Sequence, residues 1–442
     1  MKFLNTNLKI IRKLLFKLFL YFRNPVFLFK LGIFFLLSAP VIACFLFLLA
    51  IVITSFIEKD DFFKNKFNYP LLVCSLILLV SAILNTTIFK TNLIGWEQYL
   101  TWIGLANWIP LFYSYWAFQK LIPTCKAREK IIKIFLIGSI PLFISGFSQV
   151  WFNWHGPFRF LNSLIVWYQR PIDLNHPYNG MTSLFSNQNY AGAWLIIIWP
   201  MFLASLFQKK LVGFKKLILI MMVFASLVAI YLTRSRSAWF GTLISTQLVI
   251  NKTLSIYSFI IFIFLAIVLI TINQFFPNIF YGISKIFIPQ IFLTKFSDLG
   301  LENLSSYPRI FIWQSSMKFI SERPLLGWGA GSFPILFENQ GSKESYAHTH
   351  SLILELANSY GILASLIIVF FVVYILFKSF KKIFISQQNN DLLNFEKAWW
   401  ASSFVLSISQ LVDIQYYDIR VSITFWILLA GLTSKIKENQ KI

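Results

Sequence analysis

Charge is scarce in this chain, and acidic charge is scarcest. Only 13% of its 442 residues are Asp, Glu, Lys or Arg, and Asp plus Glu number 17. A soluble domain carries about 25% charged residues, so this chain has too little polar surface to face water. Cysteine is nearly absent: Cys44, Cys74 and Cys125 lie far apart in sequence, which excludes a disulfide framework and a cysteine-based metal site. The run Val41–Cys44 has the look of a lipoprotein cleavage box, but hydrophobic sequence continues straight past Cys44, which favours an uncleaved spanning helix. Long polar segments and internal repeats are lacking as well, so no separate soluble domain is expected.

What is present is apolar and blocked. Hydrophobic residues make up 57% of the chain, with 50 Phe and 15 Trp. Several runs approach the roughly 20 residues that cross a bilayer core. Candidate spans are Leu31–Ile57, Leu71–Ile88, Tyr99–Phe118, Ile134–Val150, Tyr190–Phe207, Leu217–Leu232, Ala238–Ile250 and Leu254–Phe275. Ser351–Phe377, Ala398–Val412 and Val421–Leu432 follow. The expected fold is an all-α polytopic transmembrane bundle of 11 or 12 spans. Its segments are N-terminal helices over 1–150, an outer loop over 151–189 and central helices over 190–275. A long outer segment over 276–350 and C-terminal helices over 351–442 complete the chain.

The net charge of +22 invites a nucleic-acid reading, which the distribution of charge rejects. Lys and Arg sit in short clusters between apolar runs, as cytoplasmic loops do. The clusters around Lys126–Lys133, Lys209–Lys216, Lys378–Lys382 and Lys435–Lys441 therefore predict the cytoplasmic side, as do the basic residues Lys2 to Arg23 for the N-terminus. From Ile134 onward, strict alternation satisfies every cluster. Before Lys126 the parity fails by one. Either Phe27–Ile57 is a helical hairpin broken near Pro40, or a further span lies near Leu8–Leu20. In the long outer segment, Pro308 suits the first turn of an amphipathic helix with Ile310, Trp313, Met317 and Ile320 on one face. Arg323-Pro324 ends it, and Gly327, Gly329 and Gly331 form a turn-rich strip.

The residues that could carry chemistry gather on the outer side. All four histidines fall there: His155, His176, His348 and His350. His348 and His350 sit where the long loop meets a helix, within reach of water and of an embedded ligand, and a helix cap by His or Thr349 is the plain alternative. His-x-His without Cys or a carboxylate cluster is a weak zinc signal, so proton transfer is favoured over metal. Six of ten arginines also fall on that side: Arg159, Arg170, Arg234, Arg236, Arg309 and Arg323. The positive-inside rule disfavours them there, and guanidinium groups suit phosphate oxygens. Snorkelling to headgroups is the bland explanation. It is weakest for Arg234 and Arg236, which interrupt two apolar runs. Asp413 could orient an imidazole, though an ion pair with Arg420 is slightly favoured. Asn187 and Asn189 open a helix, as caps or as sugar contacts.

Taken together, these segments resemble the O-antigen ligase/polymerase superfamily. Gly180 to Trp194 is similar to the opening of its core, and Thr233 to Trp239 (Thr-Arg-Ser-Arg-Ser-Ala-Trp) to its Arg-bearing helix junction. Arg309 to Trp313 and Arg323 to Gly329 resemble its outer segment, and Ala347 to Leu354 with Gly361 its His-x-His element. Ser351 stands where Asn is common. The resemblance implies a glycosyltransferase-C-like membrane enzyme without metal, nucleotide or other cofactor. It would move a glycan from an undecaprenyl-pyrophosphate carrier to lipid A core, another glycan or a protein, at the periplasmic face of a bacterial inner membrane with both termini cytoplasmic. His350 would be the catalytic base. Arg236 and Arg309 would grip the pyrophosphate, with Arg234 and Arg323 beside them, and Asn187, Asn189 and His348 would be glycan contacts. A different class, an anion transporter such as one for bicarbonate, is the alternative, since one branch of the superfamily carries that designation. Transport calls for midplane charges or repeats, and the sequence shows few of the former and none of the latter.

Overall fold

The computed structural model describes residues 23–87, 93–173, 179–208, 211–250, 255–257, 260, 264, 268, 308–341, 345–385 and 392–438. Within them the chain is an all-α bundle with one small β-hairpin, Phe158–Phe160 (β1) paired antiparallel to Ile165–Trp167 (β2). The first helices are α1 (Pro25–Phe35), α2 (Pro40–Ile57), α3 (Tyr69–Thr87), α4 (Tyr99–Ala106), α5 (Ile109–Leu121), α6 (Cys125–Gly138) and α7 (Ile140–Trp151). After the hairpin come α8 (Gln188–Leu206), α9 (Gly213–Thr233) and α10 (Arg236–Val249), then α11 (Pro308–Glu322) and α12 (Phe333–Asn339). The last are α13 (Leu352–Tyr360), α14 (Ile362–Phe380), α15 (Leu393–Val412) and α16 (Ile419–Lys437). Proline opens α1, α2, α5, α7 and α12, where its missing N–H costs nothing.

Seven helical stretches among the described residues are long and apolar enough to cross a membrane. Shorter or more polar helices, α1, α5, α10 and α15, run beside them. Burial sorts the bundle: α16 is 94% buried along its apolar window and α9 only 22%, so α16 and α8 form the centre while α9, α2 and α3 show apolar faces outward. The parity problem of the first third has a structural answer. Leu36–Ala39 breaks the first apolar stretch just before Pro40, and α1 folds back on α2 as a hairpin, Phe29 against Phe47 with ring centroids 5.7 Å apart. The candidate span near Leu8–Leu20 and most of Leu254–Phe275 lie outside the described residues, as does His176.

The bundle has two unlike ends. At one, the first turns of α6 and α15 meet the last turn of α16. Arg128, with a side chain 0% exposed, reaches Glu396 at 2.7 Å and Glu438 at 3.1 Å. Lys382, which donates to the Ile436 carbonyl, and Lys435, 3.1 Å from Glu438, lie at this end. The α15 helix carries the chain about 30 Å away from it, and its C-terminus defines the opposite end. There the strip after α11 is stapled to the elbow between α13 and α14. Trp328 N–H donates to Asn358 O (2.8 Å), Gly329 N–H to Ser359 O (3.0 Å) and Ile362 N–H to Pro324 O (2.7 Å). Gly361 turns that elbow at φ +94°, where a Cβ would also strike the Leu325 carbonyl.

The amphipathic helix is present as α11, but its buried face is Ile312, Ser315, Ser316, Phe319 and Ile320, while Met317 is exposed. Two serines let α11 lie close on α13, which outweighs the larger side chain at 317. Arg128→Met would leave Glu396 buried without its counter-charge. Such a loss costs about 3–5 kcal/mol, and the expected result is a lowered thermal unfolding midpoint in detergent micelles.

Candidate functional site

Asp413 follows the last residue of α15 and is 5% exposed. A buried carboxylate needs partners, and this one has three. His350 Nδ1 lies 3.1 Å from Oδ1, Asn189 Nδ2 donates to Oδ2 at 2.7 Å, and the Ile414 N–H donates to Oδ1 at 3.0 Å. The expected ion pair with Arg420 is not made. Arg420 is held by Asp418, the N-cap of α16, through Nε at 2.8 Å and Nη2 at 2.5 Å. The nearer carboxylate wins because it shares the helix turn with the arginine. Asn189 thus spends its amide on Asp413, and exposed Asn187 is a true N-cap, accepting the Asn189 N–H at 2.7 Å.

His350 reaches Asp413 because its backbone is left-handed, at φ +52°. His tolerates this region better than most residues, and the local cost is of order 1 kcal/mol. The bend is held by the buried Thr349, whose N–H donates to Glu355 Oε2 at 3.0 Å and whose hydroxyl donates to Ser351 O at 2.9 Å. Neither His350 nor Thr349 caps α13; its N-cap is Ser351, which makes no side-chain capping bond. With Nδ1–H pointed at a carboxylate, the lone pair of the imidazole sits on Nε2. His348 packs edge-on against His350, ring centroids 4.4 Å apart, and its Nδ1 accepts the His350 N–H at 3.2 Å.

Beside this pair opens a cavity of about 550 Å³. Arg234, Arg236 and Arg309 line its rim with Asp413, and Phe240, Ile244, Val405 and Ile408 form its apolar floor between α10 and α15. Arg234 ends α9 in the left-handed region at φ +53°, so the chain reverses within two residues and both arginines stay at the rim. The Gly180 segment braces that reversal: Met181 N–H donates to Leu232 O at 2.8 Å, and any Cβ on Gly180 would collide with the Thr233 carbonyl. Arg323 is not brought here. It follows the C-terminal end of α11, roughly 20 Å along the axis from Arg309, and stacks on Trp328 with its guanidinium carbon 4.0 Å from the ring centre. Exposed Arg159 on β1 and Arg170 after β2 line no part of the cavity.

The structure adds residues that sequence reasoning missed. Gln188, Ser235, Ser237 and Ser409 line the cavity. Trp313 lines it too, with a buried indole N–H that has no hydrogen-bond partner among the described residues; its position on α11 four residues after Arg309 was the available signal. Donor atoms of His348, His350 and Asp413 lie within 4.8 Å of one another, close enough for a cation to draw them together, although His348 Nδ1 and His350 Nδ1 already serve hydrogen bonds.

Electrostatics separate Asp413 from His348. Burial alone would raise the pKa of Asp413. The hydrogen bond from His350 and the positive charge of Arg309 outweigh it and hold the carboxyl below its ordinary 3.8. Burial, with the neighbouring His350, pushes His348 down from 6.5 to about 4. Because the folded state disfavours its proton, His348 contributes stability above pH 6.5 that is lost as the pH falls toward 4. Side-chain ¹⁵N spectra should therefore show His348 as neutral imidazole down to about pH 5, and an imidazolium signal at pH 6 would contradict the packing described.

Comparison with curated proteins gives no match. Comparison with family models does: residues 220–371, which take in most of α9 and all of α10, α11 and His350, match the model described as O-antigen ligase. The chain thus carries a domain of the O-antigen ligase/polymerase superfamily, set within an all-α polytopic membrane bundle.

Proposed function

We propose that the protein transfers a glycan from an undecaprenyl-pyrophosphate carrier to an acceptor hydroxyl, at the outer face of a bacterial inner membrane. The observation that carries this reading is the placement of three arginines and Asp413, the carboxylate that holds His350, around one cavity with an apolar floor. The floor between α10 and α15 suits the first isoprene units of the carrier. The arginines suit the diphosphate, whose charge grows as it leaves. The positive end of the α10 dipole points the same way.

In this reading the acceptor oxygen attacks the anomeric carbon, and the bond from that carbon to the phosphate oxygen breaks. The bonding pair leaves with the diphosphate, and the hydroxyl proton passes to His350 Nε2. Asp413 keeps the imidazole in the right tautomer and steadies the imidazolium. Asn189 in turn fixes Asp413. A single displacement inverts the anomeric centre. Sidedness rests on charge: Lys382 and Lys435 lie at the Arg128 end, opposite the cavity, and the positive-inside rule assigns that end to the cytoplasm.

His350→Ala should lower transfer about 10²–10⁴-fold, the range for losing a general base. Arg236→Ala and Arg309→Ala should each lower it about 10²–10³-fold, the range for losing one electrostatic contact. Each variant should still insert normally. Surface polysaccharide at wild-type levels in the His350 and Arg236 variants would refute the assignment. The proposed chemistry uses no metal, so dialysis against a chelator should leave turnover unchanged; loss with chelator and recovery with Zn²⁺ would reassign His348, His350 and Asp413 as ligands.

A further inference from the structure

The hairpin of β1 and β2 lies away from the cavity, and its tip is apolar. Four residues join the strands, closed by the Leu164 N–H on the Leu161 carbonyl at 3.1 Å. Leu161 and Leu164 are 65% and 49% exposed, and Phe160 and Arg159 beside them are exposed too. Exposed apolar residues grouped in this way mark a contact with lipid or with protein.

The height of the hairpin along the bundle decides between the two. The end of α2 and the start of α6 both lie beside the last turn of α16. Glu58 after α2 pairs with Lys120 at 3.2 Å, the adjacent Gln119 accepts from Lys437 Nζ at 2.8 Å, and the Cys125 N–H donates to Glu438 Oε1 at 3.1 Å. From that level α2 rises about 27 Å to Pro40. Just beyond Pro40, the Ser38 carbonyl accepts the indole N–H of Trp167 on β2 at 2.8 Å. By the second route, Ser145 on α7 stands about 30 Å above Cys125, and its carbonyl accepts from Gln169 Nε2 at 3.0 Å. Both routes set the end of β2 about 27–30 Å above the Arg128 end, which is the thickness of a hydrocarbon core. The tip lies within about 10 Å of that level, at 3.3 Å per strand residue. Meanwhile α7 continues to Trp151, about 39 Å up, so the chain comes back down to form the hairpin. A loop meant for water has no need to descend.

The hairpin is also fixed at that height. Gln149 of α7, itself buried, clamps the chain after β2. Its Nε2 donates to Arg170 O at 2.5 Å and Thr182 Oγ1 at 2.8 Å, and its Oε1 accepts the N–H groups of Thr182 and Ser183 at 3.1 and 2.9 Å. We infer that the hairpin is a lipid-binding element, seated at the boundary of acyl chains and headgroups in the leaflet at the cavity end of the bundle. Phe160, Leu161 and Leu164 enter among the upper acyl segments, and Arg159 meets lipid phosphate. Exposed Trp151 and Trp154 on the approach to β1 suit the headgroup layer. This explains an arginine on β1 that takes no part in the cavity.

The test holds one copy of the full chain per nanodisc of phosphatidylethanolamine and phosphatidylglycerol, doped with nitroxide lipids. A bimane is attached to Leu164→Cys after the three native cysteines are replaced by Ala. Nitroxides at the headgroup or at the top of the acyl chain should quench it more than one near the chain's end. Bimane on Phe370→Cys, midway along α14, should show the reverse order. Strong quenching by aqueous iodide without a nitroxide effect would put the hairpin in water and overturn the inference. Protection from both quenchers would mean that protein covers the tip, and would overturn it equally. The chain with its native cysteines supplies the second measurement. Phosphatidylglycerol bearing a diazirine at the top of its acyl chain should label peptides within 158–167, and Arg159→Glu should cut that label about fivefold relative to the label on α14. Labelled α14 with an unlabelled hairpin would refute the assignment.

Discussion

A carboxylate withdrawn from water at the end of a helix organises this end of the molecule. Asp413 cannot remain charged and buried without donors, and those it finds come from distant parts of the chain: the amide of Asn189 at the start of α8 and the imidazole of His350 before α13. Satisfying one buried charge therefore ties α8, α13, α15 and α16 together. The same bonds decide which nitrogen of His350 faces outward. Stability and chemistry thus draw on one set of hydrogen bonds.

The opposite end obeys the same rule with the sign reversed. Arg128 is a buried cation, and Glu396 and Glu438 surround it. The α15 helix carries Glu396 in its first turn and ends just before Asp413, so a buried carboxylate anchors each of its ends. Between them the helix exposes small and apolar side chains to α8, α10 and α14. The arginine cavity forms on one flank of this fixed strut.

Much of this was legible in the sequence, for identifiable reasons. Apolar runs and lysine clusters mark helices and ends because lipid and membrane charge act on every residue of a segment. Arg234, Arg236 and Arg309 stood out because cations at that end need a reason, and His350 because it lies where the long loop meets a helix. The partner of Asp413 was not legible. Arg420 lies seven residues away and looked sufficient, while Asn189 lies 224 residues away and gives no local sign. The Arg323 expectation overlooked helix length: two arginines at opposite ends of one straight helix cannot grip one diphosphate. The face of α11 was misjudged because periodicity rewards bulk, whereas close packing between helices rewards small residues such as Ser315 and Ser316.

The order in which Asp413 and its partners occur along the chain bears on biogenesis. A ribosome delivers Asn189, then the arginines, then His350, and reaches Asp413 only with the end of α15. Until α15 is inserted, the imidazole has no carboxylate to set its tautomer. In the transfer reading, a chain that lacks α15 therefore has the imidazole but not the carboxylate that orients it.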